Sequence, residues 1–373
     1  MALAGALTPR ALSSWTRAMR AEPGAIPADR DALLFAFGCV RAALRLAAAD
    51  LAHAMLSPFR SLHAMSAILS RPRLFGLLCA MTAVALGLVY LVTAGAPLRY
   101  PALNLAALAL GVGAWLGLAR MDVGARAAAV VFPPIAAGLL ATALFGMGTD
   151  GATRWISLGG LAVQSSLVLL PAAILLYARA PGTVGTLAMI GAAVALALQP
   201  DRAMAAALAA GLAPLAFASG RGPRLALLAA LCGLAVAFAR PEVERAVPFV
   251  DRILFTAFDV QFAAGLAVVA GALLLLAPAL SALNGEGEER RAVLAFAGVW
   301  AAIVAAAALG NFPTPLVGYG GSAVLGYVLS VALLPRQVGH HAARLRGGST
   351  VSESASSAVD RARLGADPRL RPA

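Results

Sequence analysis

From residue 74 to residue 335 the chain is a succession of apolar runs interrupted by charged side chains, a pattern that suits little except a membrane bundle. A spanning helix needs about 20 apolar residues. An Arg or Asp at its centre costs on the order of 2.5–3.5 kcal/mol, so charges mark where spans end. Read between charges, the spans fall at 74–95, 101–119, 127–147, 158–178, 182–198, 203–219, 225–239, 253–280, 292–310 and 316–335. The expected fold is an all-α polytopic membrane protein of about ten transmembrane helices. Composition agrees: 61% of residues are hydrophobic and 12% charged, against about 25% charged in a soluble domain. An ordinary soluble enzyme is excluded.

The formal charge is +12, and all 29 basic residues are Arg. In a soluble chain this would suggest nucleic acid. In a membrane chain the excess belongs to cytoplasmic loops and tails facing anionic lipid, so membrane lipids are expected as partners and nucleic acid is not. With the N-terminus inside, 23 of the 29 arginines face the cytoplasm, which places both termini there. The lack of Lys removes Schiff-base and P-loop chemistry. Cys39, Cys79 and Cys232 are widely spaced in apolar surroundings and read as small buried hydrophobes. His53, His63, His340 and His341 flank the membrane region, so no metal site is expected from them.

The two ends differ from the centre. Residues 1–73 read as a cytoplasmic or interfacial segment, with an amphipathic helix within 28–70. Arg41, Arg45 and His53 share a side of that helix, and Leu34, Phe37, Leu44 and Leu51 supply its apolar surface. A cytoplasmic helix packed on the bundle would look similar. Arg10, Arg17 and Arg20 interrupt the first residues, so no cleaved signal peptide is expected. Residues 336–373 are Ser- and Arg-rich and aperiodic, and read as a disordered cytoplasmic tail.

Polar groups near the membrane are costly unless they pair, line a wet cavity or act, which makes three segments informative. The first runs from Asp150 to Gln164 and carries Arg154 and Trp155. Arg154 serves either as an interfacial anchor beside Trp155 or as a fork for phosphate oxygens. The second is Leu198-Gln199-Pro200-Asp201, a turn in which Asp201 can cap the following helix. The third, from Gly310 to Ser322, contains Pro313, Pro315, Tyr319 and several glycines. Such broken backbone at membrane depth survives only when protein-buried or lining a cavity.

In this order and at these positions, the three segments resemble those of the SEDS family (shape, elongation, division and sporulation; the RodA, FtsW and SpoVE type). The first is similar to the family's Gly-Ala-x-Arg-Trp-Ile followed by Gln-Pro-Ser-Glu. The second matches its Leu-Gln-Pro-Asp. The third resembles Pro-x-Pro-x-x-Ser-Tyr-Gly-Gly-Ser, with Gly318 in place of the first Ser. The likeness covers residues 74–335 and leaves both ends unmatched.

There are departures. Where the family carries Gln-Pro-Ser-Glu-x-x-Lys, this chain has Gln164-Ser165-Ser166-Leu167-Val168-Leu169-Leu170, so leucines replace the Glu and the Lys. The family's large outer loop between its seventh and eighth spans, with its Gly-Ser-Gly-Gly, is reduced to Arg240–Arg252. Asp251 and Asp259 reproduce the separation of the family's essential Asp and following Glu, although the preceding Pro-Glu-x-His-Thr is missing. Asp251 can equally pair with Arg245 or Arg252 in a solvated loop. Asp259, read as lying inside a span, should be paired, protonated or functional.

The resemblance implies a peptidoglycan glycosyltransferase acting on lipid II, an undecaprenyl-linked disaccharide, in division or elongation at the bacterial inner membrane. It implies Asp251 as the catalytic base, Arg154, Gln199, Asp201, Tyr319 and Ser322 as substrate-binding residues, and Trp155, Gln164 and Asp259 in support. A divalent cation such as Mg2+ sharing the diphosphate is compatible with it, without a dedicated ligand cluster. A single-span transpeptidase of the class B penicillin-binding type is the implied partner. The lost Glu, Lys and glycine loop also fit a degenerate homologue acting as a scaffold. A lipid or solute transporter lacks the paired broken helices expected of one.

Overall fold

A computed structural model describes residues 67–118, 120–121, 124–149, 152–218, 220–240 and 246–338, with isolated positions between 31 and 42. The amphipathic helix expected within 28–70, most of the 336–373 tail, Cys39 and the four histidines lie outside the described residues. The helices are α1 (Pro72–Thr93), α2 (Arg99–Leu118), α3 (Ala125–Phe145), α4 (Ser165–Arg179), α5 (Thr183–Leu198) and α6 (Arg202–Ala218). They continue with α7 (Arg221–Ala239), α8 (Ile253–Val260), α9 (Phe262–Leu274), α10 (Gly287–Leu309) and α11 (Gly321–Ala332). Among the described residues six helical segments are long and apolar enough to cross a membrane, and α4, α5, α6 and α11 are shorter apolar helices. The chain is a polytopic helical membrane protein, as its apolar runs imply.

The short helices form the centre. α4 buries residues on every side, from Leu167 through Leu170 and Ile174 to Tyr177, the behaviour of a helix that is apolar all round. It packs on α11, whose Gly326 approaches so closely that a Cβ there would lie 1.8 Å from the Leu167 carbonyl oxygen. Around this pair, α6 packs on α7 and α10, α5 on α3 and α7, and α9 on α1. The outer faces of α2, α3 and α7 expose Leu105, Leu110, Val130, Leu228 and Val236, which suits contact with lipid. Cys79 is buried as expected, whereas Cys232 is exposed on α7.

Three expected spans need correction. The run 158–178 becomes helical only at Ser165, because its first residues form a hairpin. The long run 253–280 is divided: α8 ends at Val260, Gln261 is extended (φ −165°, ψ 140°), α9 follows, and a 3-10 helix covers Ala277–Leu283. The run 316–335 is helical only over α11, since the backbone before Gly321 is irregular. That irregular stretch lies inside the protein, with Leu316 and Val317 fully buried. This is the condition under which broken backbone survives at depth.

Short connections make successive helices alternate, so the loops after α1, α3, α5, α7 and α10 gather at one end of the bundle. The opposite end is tied by Val338 N–H donating to Ser70 O (3.0 Å), and by Arg73 and Arg179 donating to Leu334 O.

Candidate functional site

The loop end is organised by a three-stranded antiparallel sheet in the order β1 (Met147–Thr149), β2 (Ala152–Leu158), β3 (Leu161–Gln164). Trp155 stands opposite Gln164, and the β2–β3 turn is Gly159-Gly160 with φ +58° and +82°. Two successive positive φ angles suit the primed turns of tight hairpins. Arg-Trp-Ile-Ser-Leu and Leu-Ala-Val-Gln on either side of Gly-Gly are the sequence signal for this hairpin, hidden by the apolar run that follows.

The hairpin aims Arg154 inward. Its side chain is 2% exposed, its Nη2 donates to Pro200 O (2.7 Å), and its guanidinium lies 5.7 Å from the Phe312 ring centroid. That burial is inconsistent with a surface anchor, while Trp155 is half-buried beside it. One residue pair along, Gln164 Nε2 donates to Asp201 Oδ2 (3.1 Å), and Ser166 Oγ donates to the same oxygen (3.2 Å). The Met204 N–H donates to Asp201 Oδ1 (3.1 Å), so Asp201 caps α6 while fully buried. Gln199, also fully buried, donates to Leu139 O (2.8 Å), and its Oε1 has no partner among the described residues.

The third segment closes the cluster. Gln164 N–H donates to Ser322 Oγ (3.0 Å), joining β3 to the start of α11. Asn104 of α2 donates to Gly318 O (2.8 Å) and accepts from Gly320 N–H (3.1 Å), holding the turn before α11 from the other side. Tyr319 stacks on Tyr100 at 3.9 Å between centroids, and Tyr100 meets Phe249 edge-on at 6.1 Å. Asn104 and Tyr100 were not legible as site residues, since one polar group in an apolar run gives no direction.

Asp251 belongs to a loop laid along this segment. It bridges Pro313, Thr314 N–H donates to Val250 O (2.9 Å), and Tyr319 N–H donates to Phe249 O (2.8 Å). Its carboxylate is 8% exposed and accepts from the Val247 N–H at 2.8 Å. Burial pushes the carboxyl above the usual Asp value, a rise partly offset by that hydrogen bond. Asp259 is placed differently from the expectation: it sits exposed on α8, before the break at Gln261, rather than inside a span. Arg245 lies outside the described residues.

The polar residues of all three sequence segments thus converge at one end, linked by hydrogen bonds or through Phe312 and Pro313, and Asp259 stands apart. Among the described residues no three His, Cys, Asp or Glu side chains come together to hold a metal ion. Both oxygens of Asp201 accept hydrogen bonds from the protein.

No protein-family model matches the sequence, and none of the curated proteins does. Solved structures do. The crystal structure of the rod shape determining protein RodA from Thermus thermophilus aligns with 70% of this chain and 94% of its own, at a TM-score of 0.51 and 24% identity. The chain has the fold of RodA. An Asp-to-Ala variant of that RodA aligns at a TM-score of 0.50 and 22% identity, over 70% of this chain and 95% of its own. A structure concerned with coordination of polymerization and crosslinking by a peptidoglycan synthase complex reaches only 0.48 at 23% identity, covering 69% and 95%.

Proposed function

We propose that this chain is a SEDS-type peptidoglycan glycosyltransferase that polymerises lipid II at the outer face of the bacterial inner membrane. Both termini would be cytoplasmic, and a single-span transpeptidase would be its partner. The observation that carries this reading is Asp251, a buried carboxylate held against the broken segment, at the same end as the polar residues of all three segments. As general base, Asp251 takes the proton of the acceptor sugar hydroxyl while that oxygen bonds to the donor's anomeric carbon. The bond to the diphosphate breaks, and undecaprenyl diphosphate leaves with the electron pair. A raised carboxyl value suits the task, since a base works best when its pKa approaches the working pH. Arg154 is the cation assigned to the developing charge. The Phe312 ring lies beside it. Gln199, Asp201, Tyr319 and Ser322, supported by Gln164, are the residues assigned to substrate binding.

A second reading has its own observation. Leu167 and Leu170, which stand where the family carries Glu and Lys, are packed in the core and leave no charge there. A degenerate homologue that scaffolds a cell-wall complex would show this. Purified protein in proteoliposomes, supplied with lipid II, separates the two. Glycan strands from the wild type and none from Asp251→Asn support the enzyme, whereas no product from folded wild type supports the scaffold.

A further inference from the structure

A separate feature lies between α6 and α10. The two helices touch through their backbones at Ala210 and Gly298, where a Cβ on Gly298 would lie 2.4 Å from Ala210 O. Toward the loop end they part. The wedge between them, bounded by Phe238 of α7 and by Gly310, Asn311 and Phe312, is a cavity of about 620 Å³. That lies within the roughly 300–1,000 Å³ of small-ligand sites. Ala203, Ala206 and Ala210 face Ala302, Ala305 and Ala306 across it, so the walls are hydrocarbon and too short to fill the gap. From Arg202 to Ala210 the wedge runs about 12 Å along the helix axis, most of one leaflet's share of a hydrocarbon core about 30 Å thick.

The mouth is basic. Arg202 lines it, its guanidinium 5.3 Å from the Phe238 ring centroid and donating to the carbonyl oxygens of Ala237 and Phe238. Arg240, exposed, accepts a hydrogen bond from Arg202 at its carbonyl oxygen and donates to Leu198 O (3.1 Å). Apolar walls below the Arg202 guanidinium, with the exposed Arg240 joined to it through its backbone carbonyl, match an anionic amphiphile: phosphate above, hydrocarbon below.

We propose that this wedge is a lipid site holding one acyl chain of an anionic phospholipid from the surrounding leaflet, with its phosphate at Arg202 and Arg240. Phe312 is a wall of the wedge and also lies against Arg154, so an occupying chain packs on the ring that neighbours the candidate site.

The test uses the full-length protein in nanodiscs of phosphatidylcholine and phosphatidylglycerol. A trace of phosphatidylglycerol carries a photoactivatable diazirine on its acyl chain, and adducts are mapped by mass spectrometry. Adducts should concentrate in 203–210 and 302–312. They should fall about tenfold in the Arg202→Gln, Arg240→Gln double variant, the scale of one lost charge-assisted hydrogen bond. Ala206→Phe, which fills the wedge, should remove them, and Ala305→Leu serves the same end if that variant folds poorly. Labelling of the lipid faces of α2 and α3 should be unchanged and reports intact insertion. Even labelling of all lipid-facing helices overturns the proposal, as does equal capture of a phosphatidylcholine probe. Displacement by undecaprenyl diphosphate, or capture of a co-purified helix in the wedge, also overturns it. None of these measurements reads polymerisation, so the outcome is independent of the activity proposed above.

Discussion

Asp201 and Asp251 are both buried carboxylates at the loop end, yet their surroundings set them to different work. Asp201 accepts from Gln164, Ser166 and the Met204 N–H. Asp201→Ala strands those donors, at about 1–3 kcal/mol for each one left buried, and removes a cap of about 1 kcal/mol. Its melting temperature in detergent should fall sharply, and a variant as stable as wild type would show that the cluster does not hold the end together. Asp251 accepts a hydrogen bond from the Val247 N–H, and burial raises its pKa from the ordinary 3.8. A raised folded-state value favours the protonated form. The stability it contributes is complete below the unfolded-state pKa and is lost as pH rises through the folded-state pKa. Wild type should therefore lose stability relative to Asp251→Asn across that acidic window, and be no more stable than the variant at neutral pH. Parallel melting curves at all pH values would refute this. If Asp251 is the base, the acid limb of polymerisation lies above the ordinary Asp value. The sequence pointed to both acids but not to their division of labour, because burial and donor count arise only when distant segments meet. Nor did it show that Phe249, Arg252 and Leu316 take positive φ (65°, 59° and 62°) beside Asp251 and the broken segment. Such backbone outliers in non-glycine residues concentrate at functional sites.

At the scale of elements, what the sequence showed clearly was whatever one local pattern decides. Each of α1, α2, α3, α5, α6, α7 and α10 lies where an apolar run between charges placed it. The misread parts are those in which two patterns overlap: a hairpin running into a core helix at Ser165, one apolar run shared by α8 and α9, and an irregular stretch running into α11 at Gly321. The central contact of α4 with α11 was also illegible, because a glycine in an apolar run does not name the backbone it meets. Gly326 meets the Leu167 carbonyl, where a Cβ would sit 1.8 Å away. Gly326→Ala must push the two helices apart, and overpacking of this kind costs about 1–3 kcal/mol, more than the roughly 0.5–1 kcal/mol that Ala gains over Gly in a helix. Gly113 of α2 has nothing within 4 Å of its added Cβ. Gly113→Ala should therefore be neutral or slightly stabilising. Thermal melting of the two variants side by side checks the packing: equal effects would mean that α11 and α4 are not in backbone contact.

At the scale of the whole molecule, the two ends of the bundle differ in charge as well as in shape. Arg120, Arg126, Arg179, Arg221, Arg224, Arg290 and Arg291 all lie in or beside the connections at the end away from the sheet. The sheet end holds Arg99, Arg154, Arg202, Arg240 and Arg252, of which Arg154 is buried in the protein. Arginine-rich loops stay in the cytoplasm, because moving them across the membrane during insertion is unfavourable. The sheet end should therefore face outward, where a lipid-linked sugar exposed on the outer surface would meet Asp251. Ser157, exposed near the β2–β3 turn, and Glu288, exposed at the start of α10, mark the two ends. In a background without native cysteines, Ser157→Cys in intact spheroplasts should react with a membrane-impermeant maleimide. Glu288→Cys should react only after permeabilisation. The reverse pattern would put the Asp251 loop in the cytoplasm and remove the outward-facing polymerase, while leaving the fold as it is.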